Sequence, residues 1–201
     1  YLAFNVSPQD IAVWDIRQGK RKYLIKGAFV PRGGTGSLAL SSNGGMLAHG
    51  DSRGEISVWR PSDGVSQLRY HDHSTFIEQV TITLDDRFIV SAGRDRTIRT
   101  TEILGHKKRQ VFYGHETHVV CFAVAPNNEF IVSADRAGEL KVFSLTGMSN
   151  PRKYFTGNER GLAFNPLDAS YALANSNTPP TIEIWDKGAQ RPTRTLDGHL
   201  N

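Results

Sequence analysis

Seven histidines, one cysteine and 20 carboxylates are the residues of this 201-residue chain that could do chemistry. His71-x-His73 has the spacing of two metal ligands. No second Cys/His cluster accompanies it, and a zinc site needs three or four ligands, so a solvated loop is the better reading. His106 lies beside Lys107-Lys108-Arg109 and reads as part of a polar turn. Cys121 sits in an alternating strand without a positioned partner, and the chain contains no G-x-S-x-G nucleophile elbow. Pro31 to Thr35 (PRGGT) is glycine-rich, but it is not followed by the Lys-Ser/Thr pair and helix of a phosphate loop. Acidic pairs such as Asp85-Asp86 fall where turns are expected, and Asp is a turn former. No constellation here calls for an enzyme, and none implies a cofactor or a metal.

The elements that carry these residues are short strands. In residues 80–103 (VTITLDDRFIVSAGRDRTIRTTEI), Val80, Ile82 and Leu84 alternate with Thr81 and Thr83, the period of a half-buried strand. Asp85-Asp86 makes a turn, Phe88-Ile89-Val90 a strand buried on both faces, and Gly93 to Arg96 a second turn. Thr97 to Ile103 alternates again. A shift of 42 residues turns Phe88-Ile89-Val90-Ser91-Ala92 into Phe130-Ile131-Val132-Ser133-Ala134. One column ends each third strand: Trp14, Trp59, Thr101, Phe143 and Trp185, spaced by 45, 42, 42 and 42 residues. A second opens each unit: Gly27-Ala28, Asp72-His73, Gly114-His115, Gly157-Asn158 and Gly198-His199.

A period of this length, with Gly114-His115 and Gly198-His199 opening units and Trp14-Asp15 and Trp185-Asp186 closing them, resembles the WD40 repeat. The resemblance covers essentially the whole chain. It implies an all-β fold, a β-propeller of four-stranded antiparallel blades around a channel. Full units run over 28–71, 72–113, 114–156 and 157–197. Residues 1–27 make a partial blade without its inner strand, and 198–201 begin the next unit. The expectation is therefore one domain over 1–201, about four full blades plus a partial one, as a segment of a larger propeller of about seven blades. PRGGT accounts for the 45-residue spacing, and Asn175 to Pro180 (NSNTPP) extends another loop.

Composition agrees. Glycine is plentiful, hydrophobic residues make up 38%, and no run of about eighteen apolar residues suggests a membrane span. A single cysteine excludes an intramolecular disulfide and fits a reducing, intracellular setting, cytoplasmic or nuclear.

The resemblance also assigns the column residues to structure. Such a His hydrogen-bonds within its blade to a Ser/Thr, an Asp and the Trp. His73 keeps Ser91 and Asp95, with Thr101 in place of Trp. His115 keeps Ser133, with Ala137 replacing the turn Asp and Phe143 replacing Trp. The Trp59 unit has Ala28, His49 and Arg53 at the matching places. His199 opens the last unit. Packing is expected to hold the units whose network is incomplete.

Charge is the remaining signal. The net charge is +4 and the pI about 9.3. The connections from third to outer strand collect basic residues: Lys20, Arg21, Lys22, Lys107, Lys108, Arg109, Arg152, Lys153, Arg191 and Arg194, with Arg17, Arg60 and Lys187. Solvated turns and binding of an acidic partner or phosphate backbone both fit. Arg53, Arg94, Arg96 and Arg136 fall in turns between second and third strands, at the channel mouth the resemblance implies. Asp51, Asp95 and Asp135 sit beside them, so local Arg–Asp pairing competes with a partner site there. The expected function is a non-catalytic WD40 scaffold for protein–protein interaction in an intracellular multi-protein assembly. One alternative is a ribonucleoprotein or nucleic-acid-associated subunit that meets RNA or another polyanion through the basic turns. A second is a regulatory or sensor propeller joined to an enzymatic domain outside these residues.

Overall fold

The computed structural model describes residues 1–7, 10–26, 37–105, 109–146, 152–155, 159–165, 167–168, 170–175, 180–186 and 189–197. Its described elements are nineteen strands in five antiparallel sheets, ordered along the chain. The first sheet holds β1 (Leu2–Ser7), β2 (Asp10–Asp15) and β3 (Lys20–Lys26). The second holds β4 (Ser37–Leu40), β5 (Leu47–Gly50), β6 (Glu55–Arg60) and β7 (Val65–His71), and the third β8 (Ile77–Ile82), β9 (Phe88–Gly93), β10 (Ile98–Glu102) and β11 (Arg109–Phe112). The fourth holds β12 (Val119–Val124), β13 (Phe130–Asp135), β14 (Glu139–Ser144) and β15 (Arg152–Phe155). The fifth holds β16 (Glu159–Phe164), β17 (Tyr171–Asn175), β18 (Thr181–Trp185) and β19 (Arg194–Asp197). Each four-stranded sheet is an up-and-down meander, the pattern of a propeller blade. None of the described residues forms a helix, so none is long and apolar enough to cross a membrane.

The chain divides into two compact units, Tyr1–Val111 and Phe112–Asn201. In the first, neighbouring sheets pack face to face. Ile11 and Val13 of β2 meet Leu47, with Leu38, Leu40 and Trp59 beside them. Ala48, Ile56 and Val58 meet Ile77, Val80, Ile82 and Ile89. In the second unit, Val132 and Leu140 meet Tyr171, Leu173 and Trp185. The second strands β5, β9 and β13 are buried on both faces, as apolar runs such as Phe88-Ile89-Val90 imply.

The inner strand of the third sheet departs from the expected alternation. β8 runs Ile77–Ile82, beginning three residues before Val80, and a bulge between Ile77 and Gln79 resets its phase. Leu84, expected inward, is 58% exposed, and Thr83, expected outward, is buried. The chain has already turned there: Thr83 Oγ1 donates to Asp85 Oδ1 (2.6 Å) and accepts the Phe88 N–H (3.0 Å). PRGGT and residues 176–179 of the NSNTPP loop lie outside the described residues, as do Ala28 and His199.

Candidate interaction surface

Strand ends bring the histidine column onto residues about twenty positions away. His73 is fully buried; its Nδ1 donates to the Asp95 carboxylate (2.9 Å) and its Nε2 lies 2.9 Å from Ser91 Oγ. Ser91 in turn donates to Asp72 Oδ2 (3.0 Å). Asp95 also accepts from Thr97 Oγ1 (2.7 Å) and Arg99 Nη2 (3.2 Å). Burial pulls its pKa up, but the His73 and Thr97 hydrogen bonds outweigh this and hold it well below the usual carboxylate range. Thr101, in the Trp column, is buried and its Oγ1 has no hydrogen-bond partner among the described residues. With both ring nitrogens of His73 engaged and His71 exposed, the His71-x-His73 pair is not assembled as a ligand set.

His115 corrects one expectation. Ala137 left it without a turn carboxylate, yet Asp135 Oδ2 faces its Nδ1 at 3.3 Å, and its Nε2 meets Ser133 Oγ at 2.8 Å. The acid comes from the end of β13 rather than from the turn. Glu139 and Lys141 complete the cluster: Lys141 is fully buried, 2.5 Å from Glu139 Oε2, and donates to the Gly114 carbonyl. His115, Asp135 and Glu139 are close enough to share a metal ion, but the lysine ammonium already supplies the positive charge. Burial above all lowers the His115 pKa, assisted by Lys141 and opposed by Asp135. The Asp135 carboxyl is pulled up by burial, but the Glu139 N–H, Thr117 and His115 hold it below its ordinary value. Sequence reasoning overlooked Lys141 and its counterpart Arg99, which donates to the Asp72 carbonyl. Their signal was a basic residue two places before the Trp column, 42 residues apart.

His49 takes the place of Ser91 in the second sheet. It is 1% exposed, packs on Trp59 with ring centroids 6.1 Å apart, and its Nε2 has no partner among the described residues. Burial pushes its pKa down to about 4 against the pull of Asp51. A neutral histidine in the folded state and an ordinary one in the unfolded chain make stability full above about pH 6.5. It should fall by about 3 kcal/mol as the pH drops towards 4, with no further contribution from this group below that. Urea titrations across that range check this, and His49→Leu should flatten the slope; an unchanged slope in the variant rules His49 out as its source.

The remaining column residues pack. Trp14 stacks on Phe4 (6.4 Å, 22°), and Trp185 stacks on Tyr171 (6.1 Å, 8°) and donates to Glu183 (3.1 Å). Phe143 lies against Phe112 and His115.

The model for the WD domain, G-beta repeat, matches residues 64–100 and 106–144. This is a WD40-repeat chain. It is 27% identical over 175 residues to the nuclear distribution protein PAC1-2 of Uncinocarpus reesii, covering 86% of this chain and 32% of that protein. Against the E3 ubiquitin-protein ligase COP1 of Pisum sativum it is 21% identical over 157 residues, 78% of this chain and 23% of the ligase. Against the periodic tryptophan protein 2 homolog of Dictyostelium discoideum it is 25% identical over 215 residues, all of this chain and 22% of that protein. The chain thus spans 22% to 32% of the length of these three relatives.

In the WD40 turns the acids serve backbone N–H groups and a histidine. Asp51 is buried and accepts the N–H groups of Arg53 and Glu55 (both 2.8 Å). Asp135 does the same for Ala137 and Glu139 (both 3.0 Å), and Asp95 is taken by His73. Arg53, Arg94, Arg96 and Arg136 are all exposed. Arg94 pairs with Glu78 (2.6 Å) and lies over the Phe76 ring (4.4 Å).

The outer basic residues are also placed differently from expectation. Lys20, Arg21 and Lys22 open β3, Arg109 opens β11, Arg152 and Lys153 open β15, and Arg194 opens β19. They sit on outermost strands, not in turns. Charged residues on a sheet edge discourage pairing with other chains, which accounts for them without a ligand. Lys20, Arg21 and Lys22 are exposed, with Lys22 Nζ donating to Tyr1 Oη (2.8 Å), and Arg191 and Arg194 are exposed. Lys107 and Lys108 lie outside the described residues, as do the side chains of Arg109, Arg152 and Lys153.

Proposed function

We propose that this chain is a non-catalytic WD40 scaffold, one subunit of an intracellular multi-protein assembly, whose turns are held rigidly for partner proteins to grip. The observation that supports this is the use made of the reactive residue types. His73, Ser91 and Asp95 bind one another, and so do His115, Ser133, Asp135, Glu139 and Lys141. They act as struts, and the arginines of the turns are what solvent meets. The exposed apolar residues Leu2, Phe4 and Val6 on β1 support a further blade against the first sheet, as in a larger propeller.

Sedimentation of the full-length protein in native extract tests the reading. It should run in an assembly several times its own mass, and Arg94→Glu with Arg136→Glu should release part of it. A protein that runs at its own mass sinks the scaffold. Exposed Lys20, Arg21 and Lys22 support the competing reading, a subunit that contacts nucleic-acid phosphate. That reading requires binding of generic RNA, DNA or heparin at about 50 mM salt, lost by about 200 mM. No binding at the lower salt removes it. A regulatory propeller attached to an enzymatic domain elsewhere in the protein would show the same assembly together with an activity from outside these residues.

A further inference from the structure

We propose that the turns at 51–54 and 93–96 form a docking surface for an acidic segment of a partner protein, with Arg96 as its anchor. The proposal rests on the scaffold reading and names the chemistry of the partner.

The first support is the separation of charge within this surface. The two turns are tied to one connecting stretch. Gly54 O accepts the N–H groups of Asp72 (2.8 Å) and His73 (3.0 Å), Ile77 N donates to Asp51 O (3.0 Å), and Arg94 N donates to Phe76 O (2.9 Å). Acids and bases are nearly balanced in the sequence of this region. In the fold, Asp51, Asp72 and Asp95 turn inward to backbone N–H groups, Ser91 and His73. Glu78 is paired with Arg94, and Glu55 with Arg69. Arg53 and Arg96 extend outward, and the Arg94 side chain keeps 46% of its surface exposed. The surface presented to solvent is cationic although the segment is not.

The second support is backbone strain. Gly54, Arg96 and Gly138 occupy one repeat position, all with positive φ (83°, 67° and 81°). At the matching positions of the first-to-second-strand turns stand Gly44, Asp86 and Asn128, residue types that tolerate this conformation. Arg96 alone among the described positive-φ residues is neither glycine nor Asp/Asn. Its side chain makes no hydrogen bond or ion pair among the described residues; the turn is held by backbone bonds, Arg96 N to Gly93 O and Gly93 N to Thr97 O (both 3.2 Å). Strain held at an exposed, unbonded cation points to a use for the cation itself.

The ligand follows from the groups. A guanidinium matches a carboxylate through two parallel hydrogen bonds. Stacking of nucleic-acid bases needs an open aromatic face, and the Phe76 ring is covered by Arg94. An Asp/Glu-rich peptide therefore fits this surface better than a single-stranded nucleic acid.

The test uses the full-length protein and two fluorescent probes at low salt, a peptide of ten glutamates and an oligouridylate. Decaglutamate should bind, and Arg96→Gly should weaken it about tenfold, as expected for an anchor residue. The same substitution should raise Tm by about 2–4 °C, because it relieves the strain. Loss of binding in a stabilised variant cannot be ascribed to unfolding. Arg96→Asn, which tolerates the same backbone conformation without the charge, should lose the peptide equally. The proposal is overturned if decaglutamate fails to bind, if Arg96→Gly leaves its affinity unchanged or lowers Tm, or if oligouridylate binds more tightly through Arg96. Failure here with an intact assembly in extract removes the acidic anchor alone; absence of the assembly removes the scaffold reading itself.

Discussion

Gly54→Ala should destabilise the protein by about 4 kcal/mol or more, beyond the usual range for a single substitution. Two effects combine. The residue has φ +83°, where any side chain is strained, and a Cβ there would overlap the His73 carbonyl oxygen. It would also stand 2.6 Å from the His73 carbonyl carbon and 2.8 Å from Thr75 O. All three atoms are backbone, and Gly54 O is itself held by the N–H groups of Asp72 and His73, so neither side can retreat without breaking hydrogen bonds. Displacing His73 then loosens its bonds to Asp95 and Ser91. Gly19→Ala is the control: φ is +62° but nothing lies within 4 Å, so only the strain of about 1 kcal/mol remains. Equilibrium urea unfolding of both variants measures the difference. Equal losses would mean that the 72–77 stretch is not held against the 51–54 turn.

Lys141→Ala should cost about 3–5 kcal/mol, the range for removing one partner of a buried ion pair. Lys141 has no exposed surface, and it neutralises Glu139 next to Asp135 and His115. Its removal leaves two buried carboxylates without a cation and the Gly114 carbonyl without its donor. A pair of substitutions, Glu139→Leu with Lys141→Met, removes both charges and should recover much of the loss, because a buried pair stabilises little beyond an apolar replacement. The gap between the wild type and Lys141→Ala should also narrow at acid pH, where protonation relieves the stranded carboxylates. If Lys141→Ala loses less than the double variant, the ammonium is not the counter-charge of this cluster.

The strut residues differ in how far the sequence disclosed them. His73, Ser91 and Asp95 were legible because they occupy repeat positions, and the fold brings each to its partner at hydrogen-bond distance. The Asp135–His115 contact was not, because the carboxylate sits two residues before the place where the 72–113 unit carries it. A column compares like positions; it does not show that a neighbouring acid can reach the same histidine by a different path. Leu84 was misread for a related reason. Alternation continues through it on paper, but the turn bonded by Thr83 ends the strand two residues earlier. The outer basic residues read as turn residues because the connections after the third strands run directly into β3, β11, β15 and β19, whose first residues are themselves basic.

By itself the sequence determined the strand periods, the turn positions, the 42-residue repeat and hence the WD40 blades. All of these depend on residues close in the chain or on copies of one pattern. Only the tertiary structure decided which charges meet solvent. Asp51, Asp95 and Asp135 stand beside arginines in the sequence, and pairing with them was an open expectation. Desolvated backbone N–H groups and a buried histidine about twenty residues away claim the carboxylates, since a buried donor left unpaired costs more than a surface ion pair returns. That competition is settled by packing between strands, and it is what leaves the arginines facing outward.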